Sequence, residues 1–137
     1  ALEAFIKLSR GTQSMLARLK PHVTRHGITP TQFGILETIL HVGPLNQREL
    51  RRKLLLSKGN ISVVVNHLVE HKLVKRVRDE ADRRRTVIHL TTEGRQLIVK
   101  IFPQVAAAVT TELSTLSASE QETLGRLMKK LGRAEPT

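Results

Sequence analysis

Two stretches of this chain carry side chains of a type and spacing suited to gripping an extended anion. The first runs from Ser57 to His71 and reads SKGNISVVVNHLVEH. Wound as a helix, it gathers Ile61, Val64, Val65 and Leu68 into an apolar stripe. Gly59, Ser62, Val63 and Asn66 fall on the opposite side, with Lys58 and Asn60 beside them at the amino end. A solvated helix face usually carries Glu–Lys pairs at i, i+4, yet no acid appears here before Glu70. This face suits a flat, polar, negatively charged surface, and the major groove of duplex DNA fits best. Ser57 can cap a free amide while the helix dipole points at a phosphate. Gly59 lets backbone come close. Ser62 and Asn66 can donate to base edges or phosphates, Val63 can meet a thymine methyl, and Lys58 suits a phosphate. Three successive valines also permit a rotation that buries Val63, and the alternative role for Ser57 is that of a cap alone.

The second stretch is Asp79-Glu80-Ala81-Asp82-Arg83-Arg84-Arg85, too polar for a strand. It lies between two runs of period two, Val74 to Arg78 and Thr86 to Leu90, which predicts a β-hairpin with a projecting loop. Arg76 reads as a phosphate contact. Arg83, Arg84 and Arg85 in such a loop are expected to reach phosphate, and spacing alone does not rank them.

The charge of the chain agrees with this placement. Its 137 residues carry a net charge of +11, which calls for an anionic partner. Residues 46–95 hold 13 basic and 6 acidic side chains, so most of the excess sits in the middle third. The absence of cysteine excludes disulfides and thiolate metal sites. No apolar run reaches the ~18 residues of a membrane span, so a cytoplasmic location with no signal peptide and no membrane partner is expected.

The elements that must position these stretches follow from local signals. Leu2, Phe5, Ile6, Met15, Leu16, Leu19 and Val23 mark a long first helix, disturbed near Pro21 and ended by Gly27. Thr29-Pro30 opens the second helix, which Gly43-Pro44 stops. Asn46 caps a short third helix through about Leu55, with Leu50 and Leu54 inward, and Ser57 caps the fourth. After the hairpin, Thr91 or Thr92 begins a fifth helix that Pro103 should bend, and Ser117-Ala118-Ser119-Glu120 begins a sixth. The expected fold is mainly α with a small β-hairpin wing: a winged helix-turn-helix over residues 30–93, flanked by a helical dimerisation region, 1–29 and 94–137, in one intertwined domain. The flanking helices are too apolar to stand free in water, and a two-fold homodimer is the simplest way to bury them.

The chain resembles the multiple antibiotic resistance regulator (MarR) family of bacterial transcription factors along nearly its whole length. The carrying residues are Ile28-Thr29-Pro30-Thr31-Gln32-Phe33, Leu56-Ser57-Lys58-Gly59-Asn60-Ile61-Ser62 and Leu73-Val74-Lys75-Arg76. Most specific is Asp82-Arg83-Arg84-Arg85-Thr86-Val87-Ile88-His89-Leu90-Thr91-Thr92-Glu93-Gly94, which looks like the family's Asp-x-Arg wing followed by its Leu-Thr-x-x-Gly helix start. The resemblance implies a homodimeric repressor on near-palindromic operators, often released by small phenolic ligands. It also implies that Arg84 enters the minor groove and that Asp82 holds the wing. An effector pocket between the dimerisation and DNA-binding parts would bring His22, Arg25 and His26 to a small anionic or phenolic ligand.

Other classes are weaker. His22 and His26, like His67 and His71, are spaced i, i+4, but two imidazoles without further ligands rarely hold a metal, so neither metal nor cofactor is expected. No phosphate-binding glycine loop, Gly-x-Ser-x-Gly or His-Glu-x-x-His is present, which argues against an enzyme. The three aromatics, Phe5, Phe33 and Phe102, sit on apolar faces rather than among basic residues, against single-strand or RNA binding. The competing reading is a winged-helix protein-interaction module without specific DNA binding, which salt-dependent, sequence-specific duplex binding would exclude.

Overall fold

A computed structural model describes residues 1–54, 56 and 58–132, with Lys58 as backbone alone. Helix α1 spans Leu2–Thr24, α2 Pro30–Val42, α3 Gln47–Leu54, α4 Lys58–Glu70, α5 Thr92–Leu113 and α6 Ala118–Gly132. Strands β1 (Leu45–Asn46), β2 (Val74–Arg78) and β3 (Thr86–Leu90) form one antiparallel sheet in the order β1-β3-β2. In the hairpin Val74 stands opposite Leu90, Arg76 opposite Ile88 and Arg78 opposite Thr86.

Local chemistry accounts for most boundaries. Thr29 and Gln32 make a reciprocal capping box, with Gln32 N–H donating to Thr29 Oγ1 at 3.1 Å and Thr29 N–H to Gln32 Oε1 at 2.9 Å. Ser117 and Glu120 repeat that arrangement before α6, at 3.2 and 2.9 Å. Gly27, at φ +80°, takes the left-handed conformation that lets the chain leave α1. Glu49 N–H donates to Asn46 Oδ1 at 2.8 Å, the cap expected for α3. The expected cap at Ser57 and the expected end of α3 at Leu55 lie outside the described residues.

Two features differ from the sequence reading. Pro21 does not interrupt α1; it lies in the last turn, and its carbonyl still accepts from Arg25 N–H at 3.1 Å. The sheet has a third strand, β1, in which Leu45 pairs with Ile88 and Asn46 with Val87. Two residues show no periodicity, so sequence offered no sign of it.

The core is a single cluster. Ile35 and Leu36 of α2, Leu50 of α3, Ile61, Val65 and Leu68 of α4, Val74, Ile88, and Ile98 and Ile101 of α5 are all buried within it. Helices α2, α3 and α4 pack on one another, and α5 packs on α1 and α2. Helix α6 contributes no buried residue, and its Leu124, Leu127, Met128 and Leu131 are exposed. No single described helix is long and apolar enough to cross a membrane.

Candidate nucleic-acid interface

The apolar stripe of α4 decides what its other face presents. Burial of Ile61, Val65 and Leu68 leaves Gly59, Asn60, Val63 and Asn66 exposed, and Val63 retains 53% of its surface. The three valines therefore do not rotate the helix to hide Val63. Ser62 is half-buried, because Gln47 of α3 donates Nε2–H to its Oγ at 2.7 Å. From β2, Arg76 reaches across and donates Nη2–H to Asn66 Oδ1 at 2.6 Å. The side chains of Ser57 and Lys58 lie outside the described residues.

The loop between β2 and β3 is a built turn. Asp79 N–H donates to the Arg85 carbonyl, and Arg85 N–H to the Asp82 carbonyl, both at 2.9 Å. Ala81 N–H donates to Asp79 Oδ1 at 3.0 Å. Asp82 Oδ1 accepts from the backbone N–H of Arg84 at 3.1 Å and from its guanidinium Nε at 3.2 Å. Arg84 nevertheless keeps 92% of its side chain in solvent, so one end is oriented and the other is available. Arg83 is exposed beside it. Arg85 faces Glu49 of α3 at 3.6 Å, tying the loop to the helical part.

The Arg84 side chain and amide together hold the Asp82 carboxyl below its ordinary value of 3.8. Because the folded value is depressed, the Asp82 contacts are complete above the ordinary value and are lost as pH falls through the lowered one. An NMR titration of Asp82 is expected to show this low midpoint and, in Arg84→Ala, its return toward 3.8. An unchanged midpoint in that variant would mean the pair does not form in solution.

Behind the hairpin, the start of α5 is locked to the turn after α4. Thr91 Oγ1 donates to the Lys72 carbonyl at 2.6 Å and accepts from Gly94 N–H at 2.9 Å. Thr91 N–H donates to the Leu73 carbonyl at 3.1 Å. Lys72 sits at φ +60° to make this turn. These bonds give the Leu-Thr-x-x-Gly string its physical meaning: it fixes the hairpin's base against the end of α4.

At the junction of α1 and α5, Arg25 donates Nη2–H to Gln104 Oε1 at 2.7 Å, and His26 Nε2 lies 3.2 Å from the same oxygen. His22, one turn earlier, is half-buried. Sequence reasoning grouped the three basic residues but missed Gln104, which lies 78 positions beyond His26. It likewise missed Gln47 and Glu49, whose roles depend on tertiary packing. Among the described residues, no three His, Asp or Glu side chains cluster as a metal site.

Residues 26–85 match the family model described as MarR family. The chain is also 35% identical over 132 residues to the HTH-type transcriptional regulator MhqR of Bacillus subtilis (strain 168), covering 96% of this chain and 91% of that protein. The chain belongs to the MarR family. Among solved MarR-family structures, a mutant MarR from E. coli complexed with operator DNA superposes with a TM-score of 0.82 at 25% identity, over 91% of this chain and 90% of that one. The PcaV transcriptional regulator from Streptomyces coelicolor, in complex with its natural ligand, matches at 0.70 and 28% identity, over 78% and 76%. As a MarR-family member the protein is a DNA-binding transcriptional regulator with a winged-helix fold.

Proposed function

We propose that this regulator is a homodimeric, ligand-responsive repressor that reads a near-palindromic duplex operator with α4 in the major groove and the wing in the minor groove, in the cytoplasm. The observation that carries the reading is the acid-poor face of α4 standing exposed while its apolar side is buried, with a structured arginine loop in the same chain. Gly59, Asn60, Ser62, Val63 and Asn66 are the proposed groove contacts, joined on the ground of sequence alone by Ser57 and Lys58. Arg76, Arg83, Arg84 and Arg85 supply the flank and wing, and Asp82 holds the wing in shape. The unburied apolar face of α6, together with exposed Leu2, Phe5, Ile6 and Leu16 on α1, supports a second copy as partner. His22, Arg25 and His26 are the proposed contacts for a small anionic or phenolic effector, in keeping with the ligand-bound state of PcaV. An effector that weakens operator binding is expected to lose its effect in Arg25→Ala.

Selection from a random duplex library tests the reading. The expected product is an inverted repeat with half-site centres about one helical turn, ~10 base pairs, apart. Protection of a single half-site by one subunit would contradict it. Two wing variants separate shape from bulk charge. Arg84→Ala should weaken binding to most sequences and lower the salt slope by about one unit per lost phosphate contact. It should also reduce any preference for narrow A·T-rich flanks. Asp82→Ala removes an acid, so charge alone predicts tighter binding; loss of the loop's anchor predicts weaker binding. Tighter binding by Asp82→Ala, or no effect from Arg84→Ala, would rule out the structured wing.

A further inference from the structure

An asparagine facing a major groove with both ends of its amide free pairs bidentately with adenine, donating to N7 and accepting from N6. In this chain one end is already engaged. Arg76 Nη2 donates to Asn66 Oδ1 at 2.6 Å, and both side chains lie on the exposed surface beside α4. A guanidinium has only donors, so the bond fixes the amide's orientation. Oδ1 is held toward β2, and the two Nδ2 hydrogens point away from Arg76. A cation at Oδ1 also repels the amino hydrogens of an approaching adenine N6 or cytosine N4. Ser62 is biased in the same direction: Gln47 donates to its Oγ at 2.7 Å, so the hydroxyl proton is not consumed by that bond.

We propose that Arg76 is a positioning residue that sets base specificity. By holding Asn66 Oδ1 it makes the amide a donor group, which selects the acceptor edge of guanine, N7 and O6, over adenine and cytosine. The proposal rests on α4 docking in the major groove and names the base edge that it reads there. It also distinguishes Arg76 from the wing arginines, whose expected contacts carry no direct base information.

The test is duplex selection followed by titration of single-base operator variants, using the full chain and its Asn66→Ala and Arg76→Met variants, each checked for folding by circular dichroism. Asn66→Ala should flatten preference at one position per half-site and so identify the base that Asn66 reads. The unmodified protein should favour guanine there over adenine and cytosine by roughly tenfold, within the range of one good side-chain–base pairing. Arg76→Met keeps most of the apolar stem but removes the donors, freeing the amide to turn; adenine should then bind within about twofold of guanine. Adenine preferred by the unmodified protein at that position would overturn the proposal. So would Arg76→Met weakening all sequences alike, with a lower salt slope and intact guanine preference, because that is the signature of a phosphate contact. Asn66→Ala changing no position would do the same. If the unmodified protein enriches no duplex at all, the docking reading falls together with this one; if it enriches an operator and only these base preferences fail, this inference alone falls.

Discussion

Replacing Gly94 by alanine is expected to destabilise the fold by ~3 kcal/mol or more and to lower its melting temperature by about 10 °C. A Cβ at this position would collide with the carbonyl oxygen of Leu73 and lie 2.8 Å from its carbonyl carbon. The obstacle is backbone, so no side-chain rotation relieves it. Nor can the backbone give freely: Thr91 ties the start of α5 to the Lys72 and Leu73 carbonyls at 2.6 and 3.1 Å. Separating the two segments would stretch both bonds, each worth ~1 kcal/mol net, and would unseat Ile98, which is fully buried one turn further along. Gly59→Ala is the internal comparison. An added methyl there meets nothing within 4 Å, so it should leave stability unchanged or raise it by up to ~1 kcal/mol through helix propensity. Thermal and urea unfolding of the two variants give the answer, and equal midpoints would refute the close approach at Gly94.

The double variant Leu127→Asp, Leu131→Asp should convert the proposed dimer into a folded monomer and reduce operator affinity by ~10²–10⁴-fold. Both leucines belong to the exposed apolar side of α6, at 49% and 59% exposure, so the charges enter no core of the single chain. Burying a side chain of this size contributes ~1.5–3 kcal/mol, and placing a carboxylate in that interface adds an uncompensated desolvation cost. Two half-sites bound by linked subunits gain from effective concentration, and separation of the subunits forfeits that gain. Sedimentation measures the first effect, circular dichroism the retained helix, and operator titration the loss of affinity. An unmodified chain that sediments as a monomer at high concentration would defeat the dimer outright.

Features that depend on near neighbours were legible in the order of residues. Helix starts at Thr29, Asn46 and Ser117, and at Thr91 or Thr92, were legible because each capping bond spans three residues; the bond from Gly94 N–H to Thr91 decided between the two threonines. The hairpin limits at Val74–Arg78 and Thr86–Leu90 followed from an alternation of period two that neither flanking helix shares. The buried side of α4 followed from its 3.6-residue periodicity, and burial of one side then dictated exposure of Gly59 and Asn66. The family motif marked Asp82 as the residue expected to hold the wing, but its bonds to Arg84, two positions on, came from the structure.

Other features emerged from packing, because their contacts join residues whose separation leaves no periodic trace. Strand β1 is two residues long and exists through its partner β3, some forty positions later. The family motif marks Gly94, but why a glycine is needed there becomes visible only when the Leu73 carbonyl is brought against it. Gln104 joins Arg25 and His26 only once α5 lies on α1. The orientation of the Asn66 amide, on which base preference is proposed to depend, is set by an arginine ten residues away on a different element. Sequence supplied the chemical type of each group; the direction in which its donors and acceptors point came from packing, since hydrogen bonds are directional and hydrophobic burial is not.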